Sequence, residues 1–218
     1  MKRTMLAAIV CVTAATAVFA QQAVQPAAPP PMPASPRGTA ATQVSGKWVE
    51  AKPGDEPRYR EGKWIVIDYG RPILRGRTGI FGTVADYGKK VNAGAPVWRA
   101  GANQTTRIKT EAPLVLGGKM LPAGEYSVFV DLKNGAWTLI LSTQPFQQKY
   151  DPNNKIETWG SDNYDAKFDV LRVPMKTTEG TLCVEQFTIG FINMTQQGGS
   201  IAMWWDTTMV VVEFKVGP

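Results

Sequence analysis

The sequence predicts an all-β fold, an antiparallel β-sandwich or jelly-roll-like single domain, and three observations predict it. Beyond residue 64, apolar residues recur with a period of two, the pattern of strands that bury one face. The segments so patterned are rich in valine, isoleucine and aromatic residues and are bounded by glycine, proline or asparagine, which suits pleated backbone interrupted by tight turns. No segment has the spacing of a convincing amphipathic helix, and short, closely spaced strands close most readily into two packed antiparallel sheets.

Taken in order, residues 1–20 begin with Lys2 and Arg3, continue as an apolar run from Met5 to Val18 and end on Val18-Phe19-Ala20. This is the layout of a signal peptide, too short for a comfortable membrane span. A mature chain starting at Gln21 is expected, exported to the periplasm or the exterior and without a transmembrane segment of its own. Cys11 falls within the leader, which leaves Cys183 as the one thiol of that chain, unable to form an internal disulfide. Between Leu182 and Val184 it reads as a small buried residue.

Residues 21–45 are dominated by alanine, proline, glutamine and threonine, with Pro29-Pro30-Pro31 and Pro33. Such a stretch buries little and is expected to form a flexible, poorly ordered Pro/Ala-rich linker. The single sandwich domain is then expected over 46–218, a length sufficient for a sizeable core. The formal net charge is +6, of which Lys2 and Arg3 leave with the leader. The remaining excess is scattered rather than gathered in a basic block, which argues against a nucleic-acid partner.

Within the domain, Trp64 to Tyr69, Tyr126 to Val130 and Trp137 to Leu141 read as strands. Asn134-Gly135 predicts a tight hairpin between the last two, and Gly117-Gly118 another between Leu114-Val115-Leu116 and Lys119-Met120-Leu121. Phe187, Ile189 and Phe191, and later Val210, Val212, Phe214 and Val216, alternate with outward residues. Gln196 to Gly199 should turn the chain between those two strands. Trp204-Trp205 must face opposite sides of its strand, so one indole should pack inward and the other needs separate cover.

The densest specific chemistry lies in Trp98-Arg99-Ala100-Gly101-Ala102-Asn103, where a glycine allows a sharp turn among an indole, a guanidinium and an amide. Trp98-Arg99-x-Gly101-Ala102-Asn103-x-x-Thr106, together with Tyr69-Gly70-Arg71-Pro72, Arg75-Gly76-Arg77, Ile80-Phe81-Gly82, Leu121-Pro122-Ala123-Gly124, Trp159-Gly160 and Asp169 to Pro174, resembles the exported bacterial family called domain of unknown function (DUF) 2911. The resemblance implies a compact all-β secreted domain and transfers no catalytic residue. Relative to that pattern, the connection before Val97 is lengthened around Lys89 to Pro96, and a second insertion lies near Phe146 to Thr158, so any neighbouring pocket is expected to be reshaped.

The chain contains no histidine, which excludes nucleophile–histidine catalysis and imidazole-built zinc sites. No phosphate-cradling or dinucleotide fingerprint is present, and no cofactor is expected. Asp151-Pro152-Asn153-Asn154 with Glu157 offers oxygen ligands, but lacks the glycine of a calcium-hand loop and reads as a polar turn. The favoured function is a non-catalytic binding or envelope-associated module for a glycan or other small oxygen-rich ligand, with Arg77, Trp98, Arg99, Asn103, Trp159 and Tyr164 as candidate binding residues. A carboxylate-dependent glycan hydrolase is the alternative, drawing on Asp131, Glu157, Asp162, Asp165 or Asp169. A purely structural or interaction protein is the third, with Trp98 in the core and Arg99 bracing a loop.

Overall fold

A computed structural model describes residues 33–50 and 52–218; the expected signal peptide and the linker residues 21–32 lie outside this range. Twelve strands are formed: β1 (Arg37–Val44), β2 (Lys47–Val49), β3 (Arg58–Arg60), β4 (Lys63–Gly70), β5 (Thr106–Thr110), β6 (Leu114–Leu116), β7 (Lys119–Leu121), β8 (Gly124–Asp131), β9 (Thr138–Ser142), β10 (Asp169–Pro174), β11 (Lys176–Thr195) and β12 (Gly198–Val216). Among the described residues, helix is confined to α1 (Lys89–Asn92) and one short helical turn (Ala166–Phe168). The strands build a six-stranded sheet, β1-β4-β5-β8-β9-β10, and a four-stranded sheet, β11-β12-β6-β7, with β2 and β3 paired apart from both. All pairings between these strands are antiparallel.

Period-two patterning delivers its expected result. Ile65, Ile67 and Tyr69 of β4 and Val128 and Val130 of β8 meet Phe187 and Ile189 of β11 and Val210, Val212 and Phe214 of β12 in a common buried core. Tyr69 also links the two sheets through its hydroxyl, which donates to the Ile189 carbonyl at 3.2 Å and accepts from the Ile189 N–H at 3.0 Å. Trp205 packs inward and Trp204 is half-buried on the other face, above Gly190, where no side chain competes for the space.

Three expectations are corrected. The linker does not run to residue 45: Arg37–Val44 pairs in unbroken register with β4 and buries Ala40 and Val44, two positions on one strand face. Small apolar residues suffice there because β4 supplies the hydrogen-bond ladder, and Thr39 adds a 2.6 Å hydrogen bond to Asp68. The β8–β9 connection is wider than a two-residue hairpin. Ala136 N–H closes a turn onto the Lys133 carbonyl at 2.9 Å, and of the two turn residues only Gly135 has positive φ, so the mirror-image turn that grips a two-residue hairpin does not form. Trp137 lies in this connection and drives inward. Cys183 is exposed, because the β11–β12 register breaks between Glu179 and Val184 and lifts the intervening residues off the ladder.

An aromatic cluster occupies the centre of the core. Phe81 meets Trp98, Trp137 and Trp205 edge-on at centroid distances of 5.7, 4.7 and 6.1 Å, and Trp98 stacks on Trp205 at 6.2 Å with an interplanar angle of 9°. Edge-to-face contacts of this kind add to what area burial alone supplies. Truncation of Trp98 to alanine is expected to cost about 3–5 kcal/mol of unfolding free energy, measured by urea titration. A loss below about 0.5 kcal/mol, the size of an ordinary surface effect, would show that the cluster does not hold the sheets together.

Candidate functional site

The site is made by a strand that is interrupted. Trp98 pairs with Val130 of β8 through two 2.8 Å hydrogen bonds, one in each direction, and β5 resumes on the same edge with Thr106 opposite Val128. A single residue of β8, Phe129, thus lies between the two pairings, whereas residues 99–105 separate their partners and are looped out. The loop requires unusual backbone, with positive φ at Ala100, Gly101 and Asn103. Gly101 packs against the backbone of Gly70, and a side chain at either glycine would collide with the opposing chain. Thr106 Oγ1 donates to the Ala100 carbonyl at 3.0 Å and fastens the base of the loop.

Alternation across this short pairing decides where each side chain goes. Val97 faces outward and packs with Phe129 and Ile140 under the Tyr164 ring, while Trp98 faces the core at 1% exposure. Arg99, at the loop entrance, is half-buried and donates from Nη1 to the Asn103 carbonyl at 3.2 Å. Desolvation pulls its guanidinium below the ordinary arginine range, and the negative charge of Asp162 opposes that effect. Among the described residues no carboxylate lies within 4.0 Å of this guanidinium to form a salt bridge.

Beside the loop opens a cavity of about 320 Å³, lined by Arg77, Lys90, Trp98, Arg99, Asn103 and Trp205 together with backbone and small residues. Arg77 reaches it from a turn in which Arg75 and Gly76 both have positive φ. Its guanidinium donates to the carbonyls of Leu74 at 2.9 Å and Ile73 at 2.7 Å, and lies 5.9 Å from the centroid of the Trp205 ring. Lys90, Val91 and Ala93 come from the segment read as an insertion, so that insertion forms one wall. Among the described residues, no aspartate or glutamate lines the cavity. Two further concavities lack this convergence: a groove of about 900 Å³ at the β6–β7 and β11–β12 turns, and an apolar depression of about 570 Å³ bordered by Leu182, Trp204 and Met209.

The cavity therefore gathers four of the six candidate residues, Arg77, Trp98, Arg99 and Asn103, and the other two stand elsewhere. Trp159 is half-buried beside Tyr150 at 5.7 Å; its neighbour Gly160 lies against the Arg99 guanidinium, leaving no room for a side chain. Thr105 Oγ1 donates to the Gly160 carbonyl at 3.0 Å, tying the two loops. Tyr164 sits on the outer face of the six-stranded sheet, edge-on to Phe129 at 4.9 Å. Its hydroxyl donates to Asp169 at 2.6 Å and accepts from Arg172 at 2.7 Å, a brace rather than a binding surface. Trp205 and Lys90 line the cavity as well, although neither was among the candidate binding residues: the sequence marked Trp205 only as one of two indoles on opposite strand faces and Lys90 only as part of an insertion.

Four of the five acids considered for hydrolysis are engaged locally, and the fifth, Asp162, stands outside the cavity lining. Asp169 and Asp131 share Arg172, Asp165 pairs with Lys167 at 2.6 Å, and Glu157 accepts from Asn154 at 2.8 Å. Asp151 and Asn154 turn their side chains onto the backbone of their own loop, and no cluster of three metal-ligating acids or thiols occurs among the described residues.

Burial, followed by the hydrogen bond and negative charge of Asp169, raises the Tyr164 phenol far above its ordinary value, with Arg172 acting in the opposite sense. A proton held more tightly in the folded than in the unfolded chain stabilises fully below about pH 10, the free tyrosine value, and that contribution fades as pH rises beyond it. The ultraviolet titration difference between the parent protein and Tyr164→Phe is expected to place the missing ionisation above the ordinary tyrosine range; a step at the ordinary value would contradict the brace.

A family model described as a protein of unknown function (DUF2911) matches residues 57–214. No curated protein and no solved structure matches the chain.

Proposed function

We propose, for a chain that belongs to the DUF2911 family of proteins of unknown function, a non-catalytic role as an exported module that binds a small oxygen-rich ligand such as a glycan. One observation carries this reading: two guanidinium groups and an asparagine, from two loops distant in sequence, line one open cavity whose base is closed by the buried indoles of Trp98 and Trp205. Planar donors and an amide around one opening are a combination that holds a molecule bearing several oxygens, and about 320 Å³ is at the small end of ligand pockets. Without a carboxylate in the lining, the pair of acids that glycoside hydrolysis requires is missing from this cavity. Binding therefore accounts for the site better than hydrolysis does.

Export rests on the leader-like residues 1–20 and predicts a processed protein whose first residue is Gln21, checked by N-terminal sequencing from the producing cell. Retention of Met1 in the functional protein would remove the export proposal and leave the binding proposal intact. For the ligand, tryptophan fluorescence against a panel of monosaccharides and short oligosaccharides is expected to show saturable change, because two of the cavity residues are indoles. Arg99→Ala should weaken that binding by about tenfold, the equivalent of one lost hydrogen bond to a charged donor at 1.4 kcal/mol. A panel without any saturable member, or an Arg99→Ala protein that binds unchanged, would count against the proposal.

A further inference from the structure

The cavity's charge is more specific than its general chemistry. Arg77, Lys90 and Arg99 all line it, no aspartate or glutamate does, and the salt bridges found among the described residues involve none of these three cations. Asp162, the acid whose field reaches Arg99, stays outside salt-bridge distance. The polar contacts of Arg77 and Arg99 go to main-chain carbonyls alone. Lys90 is exposed on α1 and makes no hydrogen bond to a described residue. A guanidinium carries five donors in a fixed fork, so these bonds leave donors on both arginines unassigned.

A second observation is independent of charge. The indole Nε1 of Trp205 is buried and has no hydrogen-bond partner, in a residue that is itself a cavity wall at 4% exposure. Buried indole N–H groups normally find an acceptor, and leaving one without a partner costs on the order of 1–3 kcal/mol. Around this cavity, then, the charged side chains are all donors, while the unpartnered indole N–H lies sealed beneath its surface. Asn103 is the one lining side chain able both to donate and to accept through an amide.

Building on the binding role proposed above, we infer that the ligand is an anion: a small sugar-like molecule bearing a carboxylate or phosphate group, with that group seated between Arg77 and Arg99. Anionic oxygens supply the acceptors that both guanidinium forks lack, and charge-assisted bonds of this type are about twice as strong as neutral ones. Lys90, at the cavity edge, contributes attraction that salt screens. A neutral sugar would fill the same space while leaving the cations without a counter-charge.

The test uses three probes that share one ring: galactose, galacturonate and a galactose monophosphate, each titrated calorimetrically into the purified protein at low and at high salt. At least one acidic probe is expected to bind ten times or more tightly than galactose, with the advantage shrinking as salt rises. The two acidic arms distinguish a carboxylate ligand from a phosphate ligand. Lys90→Gln, which removes no salt bridge found among the described residues, should reduce the acidic preference several-fold; Arg77→Gln with Arg99→Gln should abolish it. Galactose binding as tightly as both acidic probes would overturn the anion assignment and keep the general binding role. Absence of binding by all three would overturn both, and an acidic preference that survives loss of all three cations in a protein of unchanged melting temperature would place the anion elsewhere.

Discussion

The two hydrogen bonds between Trp98 and Val130 are the constraint from which the site follows. They fix the facing of consecutive side chains, so Val97 must go outward, Trp98 inward and Arg99 to the mouth of the loop. Once Trp98 is committed to the core, its ring becomes both a packing partner of Phe81, Trp137 and Trp205 and the floor of the adjacent cavity. The cavity wall and the packed core thus share one side chain. The loop between Trp98 and Thr106 can leave the sheet only because both of its ends are held to β8 and its unusual backbone is packed against Gly70.

Two arginine environments on the same domain show how differently the fold treats this residue. Arg172, on the outer face, is neutralised by Asp169 and Asp131 and serves as a brace for Tyr164. Arg77 and Arg99 are held by backbone carbonyls, which orient a guanidinium without cancelling its charge. Desolvation without a close counter-ion is unfavourable for a cation, and Asp162 offsets it for Arg99 only from a distance. The rest of the fold supports such an arrangement through a deep aromatic core and a six-stranded sheet.

Much of the architecture was legible in the sequence because burial on one face of a strand writes itself as alternation, as in Ile65-Ile67-Tyr69 and Val210-Val212-Phe214. β1 was hidden because its buried positions are Ala40 and Val44, within a segment whose proline-rich beginning suggested a spacer throughout. The turn at Asn134-Gly135 was visible, but its width was not, since the residues after it are set by Trp137 seeking the core. The convergence of Arg77 with Arg99 depends on two turns far apart in sequence, and local pattern carries no information about that distance. What did show was the capacity for an odd loop, through Gly101 and Asn103, and the excess of aromatic residues around it.

On the proposed reading, the guanidinium groups of Arg77 and Arg99 and the cavity base formed by Trp98 and Trp205 respond to a ligand as one surface. The most direct measurement follows the indole N–H resonance of Trp205 by heteronuclear NMR during titration with galacturonate. The account predicts a saturable shift of that resonance, tracking those of the Arg77 and Arg99 side-chain N–H groups with one common dissociation constant. Saturable binding that leaves all three unmoved would contradict it.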